Sequence, residues 1–199
     1  AVLLVDAGTV WVEDLGAGTK RLKALAEAKA TWLEEPFVSG ALDAYKALAK
    51  RSKVKLAGGE GAHNFHMARH MIDHAGIGYV QIDAGRIGGI SVAKRVADYA
   101  KKRGVTYVNH TFTSHLALSA SLQPFAGLKD HVICEYPLEA KPVALAITRD
   151  RILPDGRGMV AAPAAPGLGL SVDTKALKPY LLDVEIKVHG RTLYRTPKL

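Results

Sequence analysis

VKLAGGEGAHNFHMARHMIDHAGIGYVQIDAGRIGG, residues 54–89, is the stretch that decides the fold. It reads as strand, helix, strand. The apolar run Val54–Ala57 passes through two glycines to Glu60. Helical spacing follows from His63 to His74, and Gly76 and Gly78 end it. A second apolar run, Tyr79–Ile82, stops at Asp83. Two parallel strands joined by a helix finish on the same edge of their sheet. Glu60 and Asp83 are therefore expected at one site.

The same unit recurs along the chain. Val2–Val5 ends at Asp6, Thr31–Leu33 at Glu34, Val105–Val108 at Asn109 and His110, and Val132–Cys134 at Glu135. Helical patterns over residues 19–30, 41–50, 91–103 and 114–126 lie between or beside them. The polar strand ends Asp6, Glu34, Glu60, Asp83, His110 and Glu135 are spaced by 28, 26, 23, 27 and 25 residues. That period belongs to a parallel β/α barrel or a doubly wound sheet. Barrels do their chemistry at the C-terminal strand ends. After Pro137 the texture changes to Pro/Gly turns, a short helix over Asp173–Tyr180 and a hairpin candidate, VEIKVHGRTLYR, turning at His189-Gly190. The expected division is 1–137, a partial barrel, and 138–199, a covering segment.

Composition narrows the function. The chain has 199 residues, 48% of them apolar, enough for a sizeable core. Its net charge is +8, but the basic residues are spread over helix faces without interleaved aromatics, so no nucleic-acid partner is expected. Cys134 is the only cysteine, which suits a reducing cytoplasm and rules out a cysteine-built zinc site. No apolar run reaches the ~20 residues of a membrane span, and no signal peptide pattern is present. The sequence opens inside a strand, AVLLVDAG, so a missing N-terminal segment or chain is expected.

Asp6, Glu34 and Glu60 at successive strand ends would repel one another unless a cation lies among them. Hard oxygen donors favour Mg2+. Asp83 and His110 end neighbouring strands, and an aspartate beside a histidine fixes its tautomer and makes the other ring nitrogen a general base. Glu135, if protonated, can donate to an oxyanion. Arg86 is placed to pair with a nearby carboxylate, and His63, in the loop after Glu60, to reach substrate. His66, His70 and His74 read as a solvated helix stripe, Trp11 and Trp32 as packing, and His115 as a residue packed at the start of the next helix. Cys134 precedes Glu135, so strand alternation turns it away from the site.

The motifs DAG, WLEEP, GGE, QIDAGRIGG, NHTFTSHLALSASL and CEYP, with APGLGL in the tail, resemble the enolase superfamily, specifically its mandelate racemase-like group. The resemblance implies a TIM-type barrel of eight strands, six of them in this chain. It implies Mg2+ on Asp6, Glu34 and Glu60, a His110–Asp83 dyad, and Glu135 near a substrate carboxylate. The implied chemistry is removal of the proton alpha to a carboxylate through an enediolate: first, dehydration of a sugar acid; second, racemisation or epimerisation of a 2-hydroxy acid. A non-catalytic fragment that binds acids or a partner chain is the third reading, and a homo-oligomer is expected. In the sister group resembling muconate-lactonising enzymes, lysine stands where this chain has Asp83. Two departures are visible: Gly8 replaces an asparagine common two residues after the first metal ligand, and the family's capping domain and Lys-x-Lys strand are absent.

Overall fold

The computed structural model describes residues 2–198. The chain divides into two compact units, one of residues up to Thr111 with Ala120–Glu135, the other of Phe112–Ser119 with the residues from Tyr136 on. The second unit thus takes in a segment that the sequence groups with the barrel.

In the first unit, strands and helices alternate: β1 (Leu4–Asp6), α1 (Leu15–Glu27), β2 (Trp32–Glu34), α2 (Leu42–Ala49), β3 (Lys55–Gly58), α3 (Phe65–His74), β4 (Tyr79–Asp83), α4 (Ile90–Lys102) and β5 (Thr106–His110). The strands pair in parallel in the order β1-β2-β3-β4-β5. Sequential order decides between the two readings of the βα period. A doubly wound sheet reverses its strand order part-way, whereas a barrel adds each strand beside the last. This is five strands' worth of a β/α barrel.

Alternation along each strand sorts the side chains. Leu33, Leu56, Val80, Ile82 and Tyr107 join the main core with residues of α2, α3 and α4. Trp32, Ala57 and Val108 form a second cluster, with Tyr79 and Ile133 packed against it. Strand β2 is buried throughout, as a parallel strand covered on both faces must be.

Local chemistry explains where elements depart from the sequence reading. Helix α1 begins at Leu15, four residues before the apolar spacing becomes clear, because Asp14 caps it by accepting from Ala17 N–H at 3.0 Å. Its glycines disguise the first turn. Gly18 is packed so closely that an added Cβ would lie 3.1 Å from Phe37 and 3.2 Å from Leu48. The expected strand Val132–Cys134 is absent from the sheet. Side chains replace its ladder: His131 Nδ1 accepts from Tyr107 N–H at 2.8 Å, Asn109 Oδ1 accepts from Glu135 N–H at 3.1 Å, and Asn109 Nδ2 donates to the Glu135 carbonyl at 3.1 Å. The segment is thereby tied to β5 without becoming a sixth strand.

Helix α5 (His115–Leu122) crosses the division between the units. The second unit adds α6 (Pro142–Ala146) and the antiparallel hairpin β6 (Glu185–Val188) and β7 (Arg191–Arg195). Its turn uses positive φ at His189 (48°) and Gly190 (77°), the combination that matches strand twist in a two-residue hairpin. The expected helix over Asp173–Tyr180 shrinks to one 3-10 turn, Lys178–Tyr180. Pro179 has no N–H to continue an α-helix.

Among the described residues no helix is long and apolar enough to cross a membrane. Val2, Leu3 and Leu4 are exposed beside the outer edge of β1, next to an apolar groove of about 460 Å³ lined by Leu3, Val5, Trp11 and Leu25. Ile186, Val188, Leu193 and Tyr194 are exposed on the hairpin. An open parallel edge and uncovered apolar faces favour association. Expressed by itself, this 199-residue chain should aggregate or melt without cooperativity in calorimetry. A sharp two-state melt of a monomer would contradict that expectation.

Candidate active site

The register of the sheet sets the site. Asp6 lies opposite Glu34 on β1 and β2, and Asp83 lies opposite His110 on β4 and β5. The His110 side chain is only 1% exposed. Its Nδ1–H donates to Asp83 Oδ2 at 2.9 Å, and its Nε2 lies 3.0 Å from Glu60 Oε2. The other oxygen of Glu60 accepts from Arg86 Nη1 at 2.8 Å. Asp83 is held in turn by its own loop, since Oδ1 accepts from the N–H groups of Gly85 at 2.8 Å and Arg86 at 3.0 Å. The expected dyad is therefore built, and Arg86 pairs with a nearby carboxylate as its position suggested.

These contacts set the charges. Burial opposes a charged imidazole at His110, but hydrogen bonds to Asp83 and Glu60 outweigh it and raise its pKa from 6.5 to about 9. Burial likewise opposes charge on Asp83 and Glu60. For Asp83 it is overcome by His110 and the two backbone N–H donors, and for Glu60 by His110 and Arg86; both carboxyls stay below the ordinary range.

The remaining acids move the other way. Glu34 is buried and raised above the usual carboxylate range, first by burial and then by Asp6 and Glu60. Glu135 is raised to about 7, by burial and then by Glu34. Near neutrality its carboxyl is therefore partly protonated. Glu35 was not foreseen. Burial and the charges of Glu60, Glu34 and Asp6 push it to about 7. Its φ of 37° is unusual for a residue with a side chain, a conformation that tends to be kept at functional sites. A pair of adjacent glutamates in WLEEP carries no sequence signal telling which one is special. Gln81 was also missed, although alternation from Asp83 puts it on the same strand face. Its Nε2 donates to Glu135 Oε1.

Asp6 is exposed, and its Oδ1 accepts from Gly8 N–H at 2.7 Å. Gly8, standing where the resembling family commonly has asparagine, turns at φ 52° and orients the Asp6 carboxylate through its backbone N–H. His63 is exposed in the loop after Glu60. His115 lies at the start of α5, where its Nδ1 accepts from Ile152 N–H at 3.2 Å and burial lowers its pKa.

As placed, no three His, Cys, Asp or Glu side chains among the described residues are arranged to hold a metal ion, and Glu60 is turned toward His110 and Arg86. The donor chemistry nevertheless fits a hard divalent cation. Asp6, Glu34 and Glu60 offer only oxygens, and burial, followed by the charges of Asp6 and Glu60, raises Glu34. Each carboxylate oxygen has a second lone pair, so Glu60 can keep a hydrogen bond while taking a ligand role.

Comparison with known proteins places this arrangement. The solved structure of a predicted mandelate racemase from Rhodobacter sphaeroides is 58% identical, superposes with a TM-score of 0.94, and is matched over 100% of this chain and 51% of its own. The 3,6-anhydro-D-galactonate cycloisomerase from Zobellia galactanivorans has the same fold, with a TM-score of 0.81 at 24% identity, over 90% of this chain and 50% of its own. Among curated proteins, D-galactarolactone cycloisomerase from Agrobacterium fabrum is 28% identical over 157 residues, 75% of this chain and 41% of that protein. D-xylonate dehydratase from Haloferax volcanii is 25% identical over 183 residues, 90% of this chain and 42% of that protein. The chain spans less than half the length of those curated relatives. The model of the enolase C-terminal domain-like family matches residues 1–176. The chain belongs to that family, within the mandelate racemase-like part of the enolase superfamily.

Proposed function

We propose that the protein containing this chain removes the proton alpha to the carboxylate of a sugar acid and expels the β-hydroxyl, acting as an Mg2+-dependent dehydratase. The observation that carries this reading is His110, buried and clamped between Asp83 and Glu60 at the edge where the carboxylates gather. Asp6, Glu34 and Glu60 would hold the Mg2+. When bound, it supplies the positive charge that stabilises the dianionic form of the substrate's carboxylate.

The chain's own residues do the rest. Asp83 fixes the Nδ1–H tautomer and leaves Nε2 as the working nitrogen. Neutral, Nε2 takes the α-proton; protonated, it gives a proton to the departing hydroxyl. Glu135 donates a hydrogen bond toward the charge that grows on the substrate carboxylate. Arg86, which has donors beyond the one spent on Glu60, and His63, in the adjoining loop, bind the polyol end of the substrate. The names of relatives support the substrate class, since sugar-acid dehydratases and sugar-lactone cycloisomerases occur among them. Racemisation of a 2-hydroxy acid shares the first proton transfer and is the second reading. The compartment is proposed to be the cytoplasm, consistent with a lone, half-buried cysteine.

Three outcomes test this. In the protein expressed from its complete reading frame, Glu60→Gln should weaken Mg2+ binding at least tenfold by calorimetry, the usual scale for losing part of a metal site. Unchanged affinity would remove Glu60 from the ligand set.

The second outcome concerns pH. Because the pKa of His110 is raised from 6.5 to about 9, the native state holds this proton more tightly than the unfolded chain. That stabilisation is complete below pH 6.5 and lost as pH rises to about 9. Glu35 and Glu135, raised from 4.5 to about 7, act with the same sign at lower pH. In chelator the melting temperature should therefore fall from about pH 6 to about pH 9.5. A rising melting temperature across that range would argue against a stabilised imidazolium.

Third, a screen of aldonic and aldaric acids with Mg2+ should yield a 2-keto product, and His110→Asn should cost at least a hundredfold in kcat, with a smaller loss for Asp83→Asn. Full activity in His110→Asn would refute the assignment. Exchange of the α-proton of a 2-hydroxy acid with solvent deuterium, without any dehydration, would install the racemase instead.

A further inference from the structure

Gln81 lies in the middle of β4, two residues before Asp83, with its side chain completely buried. Strand alternation puts it on the face that carries Asp83, so it sits one layer below the strand-end acids. A buried glutamine needs a reason, because its amide must be satisfied on both sides to be tolerated in a core. Here the satisfaction is lopsided. The amide nitrogen donates to Glu135 Oε1 and also faces Glu34, whose charged form it favours. The carbonyl oxygen of the same amide is buried without a hydrogen-bond partner among the described residues. Leaving such an acceptor unmet is destabilising. Stability alone would not select this arrangement, since an aliphatic side chain would fill the space without the stranded oxygen.

Two further facts show what the amide holds. Glu135 stands on a segment that has no strand ladder of its own, and the Asn109 side chain pins its backbone N–H and carbonyl. Glu34, by contrast, sits on a fully buried and laddered strand. One NH2 group therefore spans a rigid carboxylate and a carboxyl whose position is not fixed by the sheet.

We propose that Gln81 is a positioning residue: its amide braces the Glu135 carboxyl against Glu34 and so aims Glu135 at the substrate. This rests on the reading of Glu135 as the group beside the substrate carboxylate. Gln81 itself touches no reacting atom.

The experiment is a double-mutant cycle in the protein from its complete reading frame, on whichever sugar acid the wild type dehydrates. Gln81→Leu should lower kcat about tenfold or more and change KM by less than threefold, because aim matters most where charge develops. In the presence of Glu135→Gln, Gln81→Leu should cost nothing more, since a brace has no effect on a group already removed. Its melting temperature should stay within a few degrees of wild type or rise, because the stranded carbonyl goes with the amide. Additive losses in the cycle, or a kcat equal to wild type, would overturn the proposal. If no sugar acid turns over, the reading of function fails separately, and the brace is judged by crystallography of Gln81→Leu with Mg2+ alone. A Glu135 carboxyl displaced or split between rotamers supports the brace, and one unmoved overturns it. Should Gln81→Leu not fold, Gln81→Asn, one methylene too short to span both acids, takes its place with the same expected kinetic and crystallographic outcomes.

Discussion

The structure turns on the repulsion among acids gathered at one sheet edge. Beyond burial, the charges of Asp6 and Glu60 push up the protonation of Glu34 and Glu35, and those of Glu34 and Glu60 push up that of Glu135. Burying carboxylates costs free energy unless each finds a counter-charge or a donor. The chain answers by splitting the acids into two groups. Asp83 and Glu60 meet donors, namely His110, Arg86 and the loop after β4, and stay ionised. Glu34, Glu35 and Glu135 meet chiefly burial and like charge, which raise Glu34 above the usual carboxylate range and Glu35 and Glu135 to about 7.

The fold makes that crowding possible because parallel strands deliver every C-terminal end to the same rim. One scaffold, cored by Leu33, Leu56, Val80, Ile82 and Tyr107, carries Asp6 in register with Glu34 and Asp83 in register with His110. The energy of helix-facing burial thus supports a rim that is electrostatically unfavourable in itself. Pairing Asp83 directly opposite His110 leaves their alignment to the backbone ladder rather than to flexible loops. Loops enter only to trim it, as Gly8 does for Asp6 and as Gly85 and Arg86 do for Asp83.

Much of this was legible in the sequence. The βα period, the polar residue closing each strand, and the Asp83–His110 neighbourhood all follow from local patterns that parallel strands make spatial. The choice of a barrel over a doubly wound sheet was not in the period. It depends on strand order, a non-local property. The strand assigned to Val132–Cys134 looked like the others because its apolar residues are like theirs. What differs is the neighbour: Asn109 and His131 take over hydrogen bonds that a ladder would make. Gln81 and Glu35 escaped for a related reason. Their roles are set by charges on other strands, which leave no mark on their own local pattern.

The dyad also bears on which reaction suits the site. Racemisation asks for proton removal on one face of the α-carbon and delivery on the other, so it needs two acid/base groups on opposite sides of the substrate. Dehydration asks for removal of the α-proton and protonation of a hydroxyl on the adjacent carbon. A single imidazole can do both when those two atoms lie on the same side. His110 is suited to that double duty because its partners bias it toward the protonated form while Asp83 keeps the ring fixed. In the proposed dehydration, such an imidazole would keep the proton taken from carbon and hand it to the leaving oxygen, whereas the alternative racemisation would call on an acid/base group on the opposite face as well.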